Sequence, residues 1–406
     1  MFVFALAAML ANLLNHVDAY AATPDPKGAS DADSTVDANA MADPKSAYDV
    51  NGSTLWEEGS KAYKDGNLTQ ARELLLRAAN AGNASAMNLL GSILQKGLGG
   101  SADLPAARKW YEAAATSGNL SDSMFNLAMM LRNGQGGSKD VAAARSWFEK
   151  SANAGNIQAM VWMGDLTQDG EGAPKDFATA RSWFQRAADH DDANGLYRMG
   201  YYFETGTGGP EDPKAARVMY RKAAEKGLVR AMTYYANALY NGRGGPKDLS
   251  EARAWSQKAA DKGDADAMGM LATIYAHGQG VRVDNALARK WAQSGSEAGC
   301  SFAMPLYGFL LESGRGGPKN LREARNWYGK AAEAGDRIGM YDYGIALIQG
   351  KGGPRMVAEG RGWLKKAADL GDPDAKRYLK RDGSSGRVVR KRPNATSSSQ
   401  WGFLPF

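Results

Sequence analysis

One cysteine, Cys300, occurs in 406 residues, so no disulfide can close within the chain and a fold stapled by bridges is excluded. Histidine is nearly as scarce. His16, His190 and His277 are too few and too scattered for a zinc site or for a Ser-His-Asp triad. No H-E-x-x-H, G-x-S-x-G or G-x-x-x-x-G-K-[ST] string occurs. The 44 acids offer no pair that stands out as a general acid and base. Apolar runs long enough to cross a bilayer are missing too, because the stretch through Leu14 is too short for a span. Together these absences point to a non-enzyme without cofactor, metal or transmembrane segment.

Glycine, by contrast, is abundant, with 49 copies, and it is periodic. The stretch GRGGPKDLSEARAWSQKAADKGD begins at Gly242, and its counterpart GRGGPKNLREARNWYGKAAEAGD begins at Gly314. The first glycine recurs as Gly97, Gly134, Gly170, Gly206, Gly242, Gly278, Gly314 and Gly350, with a first step of 37 residues and later steps of 36. A phosphate-binding loop would occur once or twice, after a strand. Eight copies at a fixed period, each after a helical pattern, mark a solenoid.

One unit shows why. Ala231, Met232, Tyr235, Ala236 and Leu239 repeat at helical spacing and predict a helix with one buried face. Gly242 ends that helix in the left-handed region, and Gly244, Gly245 and Pro246 turn the chain. Asp248 caps the next helix, with Glu251 three residues on as a capping box. Asn320 with Glu323 repeats the device, and Asp212 precedes a proline at the first helical position. The second helix runs through Ala252, Trp255, Ala259 and Ala260 to a stop at Gly263. The glycines therefore punctuate a helical hairpin.

Two further rows keep step. Trp110, Trp147, Trp183, Trp255, Trp291, Trp327 and Trp363 share one position, with Met219 in the fourth unit, and are expected to be core knobs between units. Arg108, Arg145, Arg181, Arg217, Arg253, Arg289, Arg325 and Arg361 stand two residues earlier. A structural task fits that row, such as hydrogen bonding to turn carbonyls.

These residues resemble the Sel-like repeat (SLR) family, which is related to the tetratricopeptide repeats. The third unit carries Ala159, Met163, Gly164, Gly170, Gly172, Asp176, Ala180, Trp183, Phe184, Ala187 and Ala188 in the family's pattern, and the sixth carries Gly278, Gly280, Val281, Asp284, Ala288 and Trp291. The resemblance implies an all-α, right-handed α-solenoid used as an interaction surface. It departs at Asp191, Met219 and Met356, where the family has Gly, Trp and Asp. The lone cysteine separates the chain from the family's cysteine-rich branch, so that branch's β-lactam binding is not transferred.

Expected boundaries follow. Residues 1–21 read as a signal peptide with an Ala19-Tyr20-Ala21 cleavage triplet, although no Lys or Arg precedes its apolar run. Residues 22–53 read as a disordered linker and 54–84 as a shortened capping repeat. Eight repeats fill 85–372, a closing helix 373–381, and a basic disordered tail 382–406 contains the cluster Arg387 to Arg392 and ends WGFLPF. Such a chain belongs in a bacterial periplasm or is secreted. N-x-[ST] triplets at Asn67, Asn83, Asn119 and Asn394 would also suit a eukaryotic secretory origin.

By analogy with tetratricopeptide geometry, the first helix of each unit lines the concave face. The unit-specific positions expected to project there are Asn88, Phe125, Arg132, Tyr197, Tyr201, Thr233, Asn237 and Phe309. Aromatic and amide side chains suit a peptide segment of another envelope protein. A glycan or peptidoglycan strand is the alternative ligand, a weak cell-wall or β-lactam hydrolase the alternative activity, and nucleic acid is not expected.

Overall fold

The computed structural model describes residues 52–382; the expected leader, the expected linker up to residue 51 and the expected tail from residue 383 lie outside that range, while Gly52, Ser53 and Asp382 belong to the terminal helices. The order is α1 (Gly52–Lys64), α2 (Leu68–Asn80), α3 (Ala84–Lys96), α4 (Leu104–Ser117), α5 (Ser121–Asn133), α6 (Val141–Asn153), α7 (Ile157–Asp169), α8 (Phe177–Asp189), α9 (Ala193–Thr205) and α10 (Pro213–Glu225). It continues with α11 (Val229–Asn241), α12 (Leu249–Asp261), α13 (Ala265–His277), α14 (Asn285–Glu297), α15 (Ala303–Ser313), α16 (Leu321–Glu333), α17 (Arg337–Gln349), α18 (Val357–Asp369) and α19 (Pro373–Asp382). No strand occurs among the described residues. Each helix packs on the next, so the fold is the all-α solenoid that the spacing predicts. The odd 37-residue step is absorbed in α4, which has 14 residues where the other second helices have 13. The pair α1–α2 lacks the long turn, as expected of a shortened unit.

Local signals place the helix ends. Asp103, Asp140, Asp176, Asp212, Asp248, Asp284 and Asn320 each accept a backbone N–H of the first turn they cap. Met356 supplies no such bond. Gly242 closes its first helix at φ 73°, the left-handed conformation that glycine adopts at least cost. Where the repeat expects a final glycine, Asp191 is held at φ 60°.

The capping boxes differ from expectation. The Asp248 amide donates to Leu239 O, which leaves the Glu251 carboxylate free for other partners. It accepts instead from Tyr235 OH at 3.1 Å and Trp255 Nε1 at 3.3 Å, tying both helices of the unit together.

The tryptophan row is also corrected. Trp183 is buried, but Trp255, Trp291, Trp327 and Trp363 are half-buried. Trp255, Trp327 and Trp363 meet a first-helix tyrosine edge-on, and a lysine ammonium lies about 4 Å over each ring. The fully buried knob is the next residue, in Tyr111, Phe148, Phe184, Tyr220 and Tyr328. A Cβ on Gly91, Gly164, Gly200 or Gly308 would lie within 2.9 Å of the ring of Tyr111, Phe184, Tyr220 or Tyr328. Where the knob shrinks to Ser256 or Ala292, the facing register position is Ala236 or Ala272. Large and small residues thus trade across most hairpins, Phe148 opposite Ala128 being the exception.

The arginine row does hold turns. Arg108, Arg217, Arg289 and Arg325 donate to the carbonyls of Ser138, Pro246, Pro318 and Pro354 in the following unit, at 2.8–3.0 Å. Arg72 extends the row into the shortened unit by bonding Ser101 O. The turn glycines make room: a Cβ on Gly244 would stand 2.0 Å from Pro213 O, and one on Gly245 2.8 Å from a guanidinium nitrogen of Arg217.

Two outcomes follow. Gly316→Ala and Gly335→Ala both place alanine at positive φ, but only the first meets a neighbour, Asn285 O at 1.9 Å. Gly335→Ala should cost about 1–2 kcal/mol and Gly316→Ala clearly more, measured by urea unfolding. Tyr328→Ala should cost about 3–5 kcal/mol, and Trp327→Ala less, in the same experiment.

Candidate functional site on the first-helix face

The first helices α3, α5, α7 and onward present their unit-specific positions side by side on one face. At its N-terminal part lies an open groove of about 690 Å³. Asn88 and Phe125, both anticipated, line it with Trp56 of α1, Asn126 of α5, and Asn156 and Gln158 at the start of α7. Asn126 Nδ2 donates to Asn88 Oδ1 at 3.3 Å, and Asn156 Nδ2 to Asp122 Oδ1 at 2.8 Å. Asn156 also caps α7 through its Oδ1, which fixes the side chain at the groove edge. Phe125 meets Phe148 edge-on with centroids 5.6 Å apart. Amides, hydroxyls and aromatic edges thus alternate along the groove.

Further along, the other anticipated positions fare differently. Arg132 is already paired: its Nε and Nη2 donate to the two carboxylate oxygens of Glu171 at 3.0 and 2.9 Å, and it lies 4.8 Å over the Trp162 ring. Tyr197 and Thr233 were expected to project outward, but they are 8% and 4% exposed. Tyr197 packs among Tyr220 and Tyr234, at 6.0 and 5.3 Å between centroids. Tyr201 is half-buried against Tyr202. Asn237 accepts from Asn241 within its own helix. Phe309 is half-buried under the Arg315 guanidinium, far along the face from Asn88. The face therefore brings Asn88 and Phe125 into one groove and leaves the other six outside it.

Sequence reasoning missed Trp56, Asn126, Asn156 and Gln158, and also an ion pair between Arg198 and Asp165 at 3.0 Å. Asn126 and Arg198 each stand one residue past an anticipated position, so the helix face is wider than a single row at four-residue spacing. Burial pushes the Asp165 carboxyl above the usual carboxylate range, and Arg198 opposes that shift. Cys300 sits where Asp264 and Asp336 cap their helices, is buried, and has its thiol pushed up by burial, so it is no reactive nucleophile. Among the described residues no three His, Cys, Asp or Glu side chains converge as metal ligands.

The pattern of glycines, caps and buried knobs matches a known repeat. The sequence profile of the Sel1 repeat matches residues 57–83, 84–119, 121–156, 157–192, 193–228, 229–264, 265–300, 301–336 and 338–372. The chain belongs to the Sel1 repeat family. The profile thus takes the shortened first pair as a ninth repeat. A protective antigen of uropathogenic Escherichia coli with the SLR fold is 27% identical, at a TM-score of 0.67 over 82% of this chain and 79% of its own. A Sel1 repeat protein from Oxalobacter formigenes is 35% identical, at a TM-score of 0.54 over 60% of this chain and 99% of its own. No curated protein matches the chain in sequence. Sel1 repeat proteins are in general non-catalytic scaffolds for protein interactions. No helix among the described residues is long and apolar enough to cross a membrane.

The tyrosines set an alkaline limit on this solenoid. Burial pushes the Tyr111 and Tyr307 phenols up to about 12, and raises Tyr202, Tyr220 and Tyr234 as well. A phenol whose folded pKa exceeds its unfolded value near 10.0 favours the fold fully below that value. The contribution is lost as pH rises toward the folded pKa. Stability measured by urea should hold to about pH 10 and fall above it, with tyrosinate absorbance rising together with unfolding.

Proposed function

We propose that this chain is an exported, non-catalytic scaffold of a bacterial cell envelope. It binds an extended peptide segment of another envelope protein in the groove between Trp56 and Gln158. The groove's make-up carries the reading. Asn88, Asn126, Asn156 and Gln158 offer donors and acceptors to a peptide backbone, while Trp56, Leu89 and Phe125 offer apolar contact to its side chains. The leader of residues 1–21 supports export. The protective role of the Escherichia coli relative fits a protein met outside the cytoplasm.

The test is purification of the native protein with its partners. The mature chain should begin at Ala22 or Thr23. The double variant Asn88→Ala, Gln158→Ala should stay folded, since such changes usually move stability by within about 0.5 kcal/mol each, and should recover at least about tenfold less partner, a loss of about 1.4 kcal/mol in binding. Undiminished partner recovery by the double variant would sink the groove assignment. Sedimentation with cell-wall sacculi, lost in the same variant, would replace the peptide with a glycan.

A further inference from the structure

Among the side chains that line the groove, Asp122 alone carries a charge, and no Lys or Arg stands with it. Ser85, Asp122 and Gln158 hold one register position, 37 and 36 residues apart, on α3, α5 and α7. The carboxylate therefore sits midway along the groove, between two neutral groups. It lies in the first turn of α5, where a helix tolerates a negative charge. Its Oδ1 accepts from the neutral Asn156 Nδ2 at 2.8 Å, and the side chain is exposed to solvent. Four other carboxylates of the first helices and their turns are neutralised inside the chain. Glu171 pairs with Arg132, Asp165 with Arg198, Glu204 with Arg243 and Glu312 with Lys351, at 2.7–3.2 Å. Each of these pairs joins two units. No Lys or Arg pairs with Asp122 among the described residues.

We infer that the peptide segment bound in this groove presents a Lys or Arg side chain to Asp122. This names the occupant's chemistry and rests on the groove being the binding site. Charge complementarity selects the occupant. A carboxylate with no cation beside it, in a groove that is otherwise neutral, accepts a charge-assisted hydrogen bond from an ammonium or a guanidinium. An Asp or Glu at the same place meets repulsion that no nearby cation offsets. A neutral residue leaves the carboxylate as it was, so it is neither selected nor refused. The pair is exposed, so solvent screening keeps its contribution to affinity small. Its larger effects are on the rate of encounter and on the choice among segments. It also sets register. The amides of Asn88 and Gln158 can bond any peptide backbone, whereas Asp122 fixes which residue of the segment stops midway.

Random peptides of about twelve residues, which span roughly 40 Å when extended, are displayed on phage and selected on the full chain. Those retained by the full chain but not by the Asn88→Ala, Gln158→Ala variant belong to the groove. They should share a Lys or Arg at one position. Replacing it by Gln in a synthetic copy should weaken binding about twofold to fivefold at low salt, and the difference should close as salt is raised. Asp122→Asn keeps an oxygen that accepts from Asn156. It should retain groove-dependent peptides and lose the Lys or Arg preference. Asp122→Lys should select Asp or Glu at that position instead. Groove-dependent peptides with no shared cation, or a preference that persists on Asp122→Asn, would overturn the inference and leave the groove standing. If no peptide depends on the groove, both fall together.

Discussion

Five units of this solenoid are tied to the next by a guanidinium that reaches across to a turn carbonyl. Arg217 of α10 bonds Pro246 O at 2.8 Å, and Arg72, Arg108, Arg289 and Arg325 make the same contact, whereas Arg145 turns to Thr167 and Arg181 lies over the Phe203 ring. The contact has a steric precondition. The turn must press so close to the preceding second helix that side chains at Gly244 and Gly245 would collide with Pro213 O and with Arg217 itself. A lone helical hairpin cannot bury its apolar face. The arginine and the glycines fix how each hairpin meets its neighbour, and the core between them follows from that spacing.

Within this frame the hairpin core is shared unequally between its helices. Tyr111, Phe184, Tyr220, Tyr328 and Leu364 on second helices face glycine on the first, and Phe148, Ser256 and Ala292 face alanine at the same register. Half-buried tryptophans close the outer edge, each with a cation over its ring or an acid at its nitrogen. Unit-specific positions of the first helices join this core in places, as where Phe125 meets Phe148 and Tyr197 meets Tyr220. They run from an amide-rich groove, through the Arg132–Glu171 and Arg198–Asp165 pairs, to Phe309 and Ile338 packed on the core of the last units. A scaffold of identical backbones thus carries different chemistry along its length.

Periodicity alone was enough to read the architecture. Glycines 36 residues apart locate the turns, Asp and Asn locate the caps, and the arginine row points to its turn carbonyls, because each of these is a backbone requirement that recurs from unit to unit. The candidate site was only partly legible. Neighbouring helical residues differ by about 100° in direction, so a shared register does not tell which of two adjacent residues points inward. Trp255 stood out by its recurrence, yet its neighbour in the row, the position of Tyr328 and Phe184, is the one that the facing glycine accepts. Tyr197 and Thr233 looked outward by unit-to-unit variation but are covered, Tyr197 by Tyr220 and Tyr234. Glu251 looked like a capping partner, but the Asp248 amide was already taken by Leu239 O. Repetition reports what every hairpin must satisfy, and burial at a single position depends on which side chains the adjacent helices bring to it.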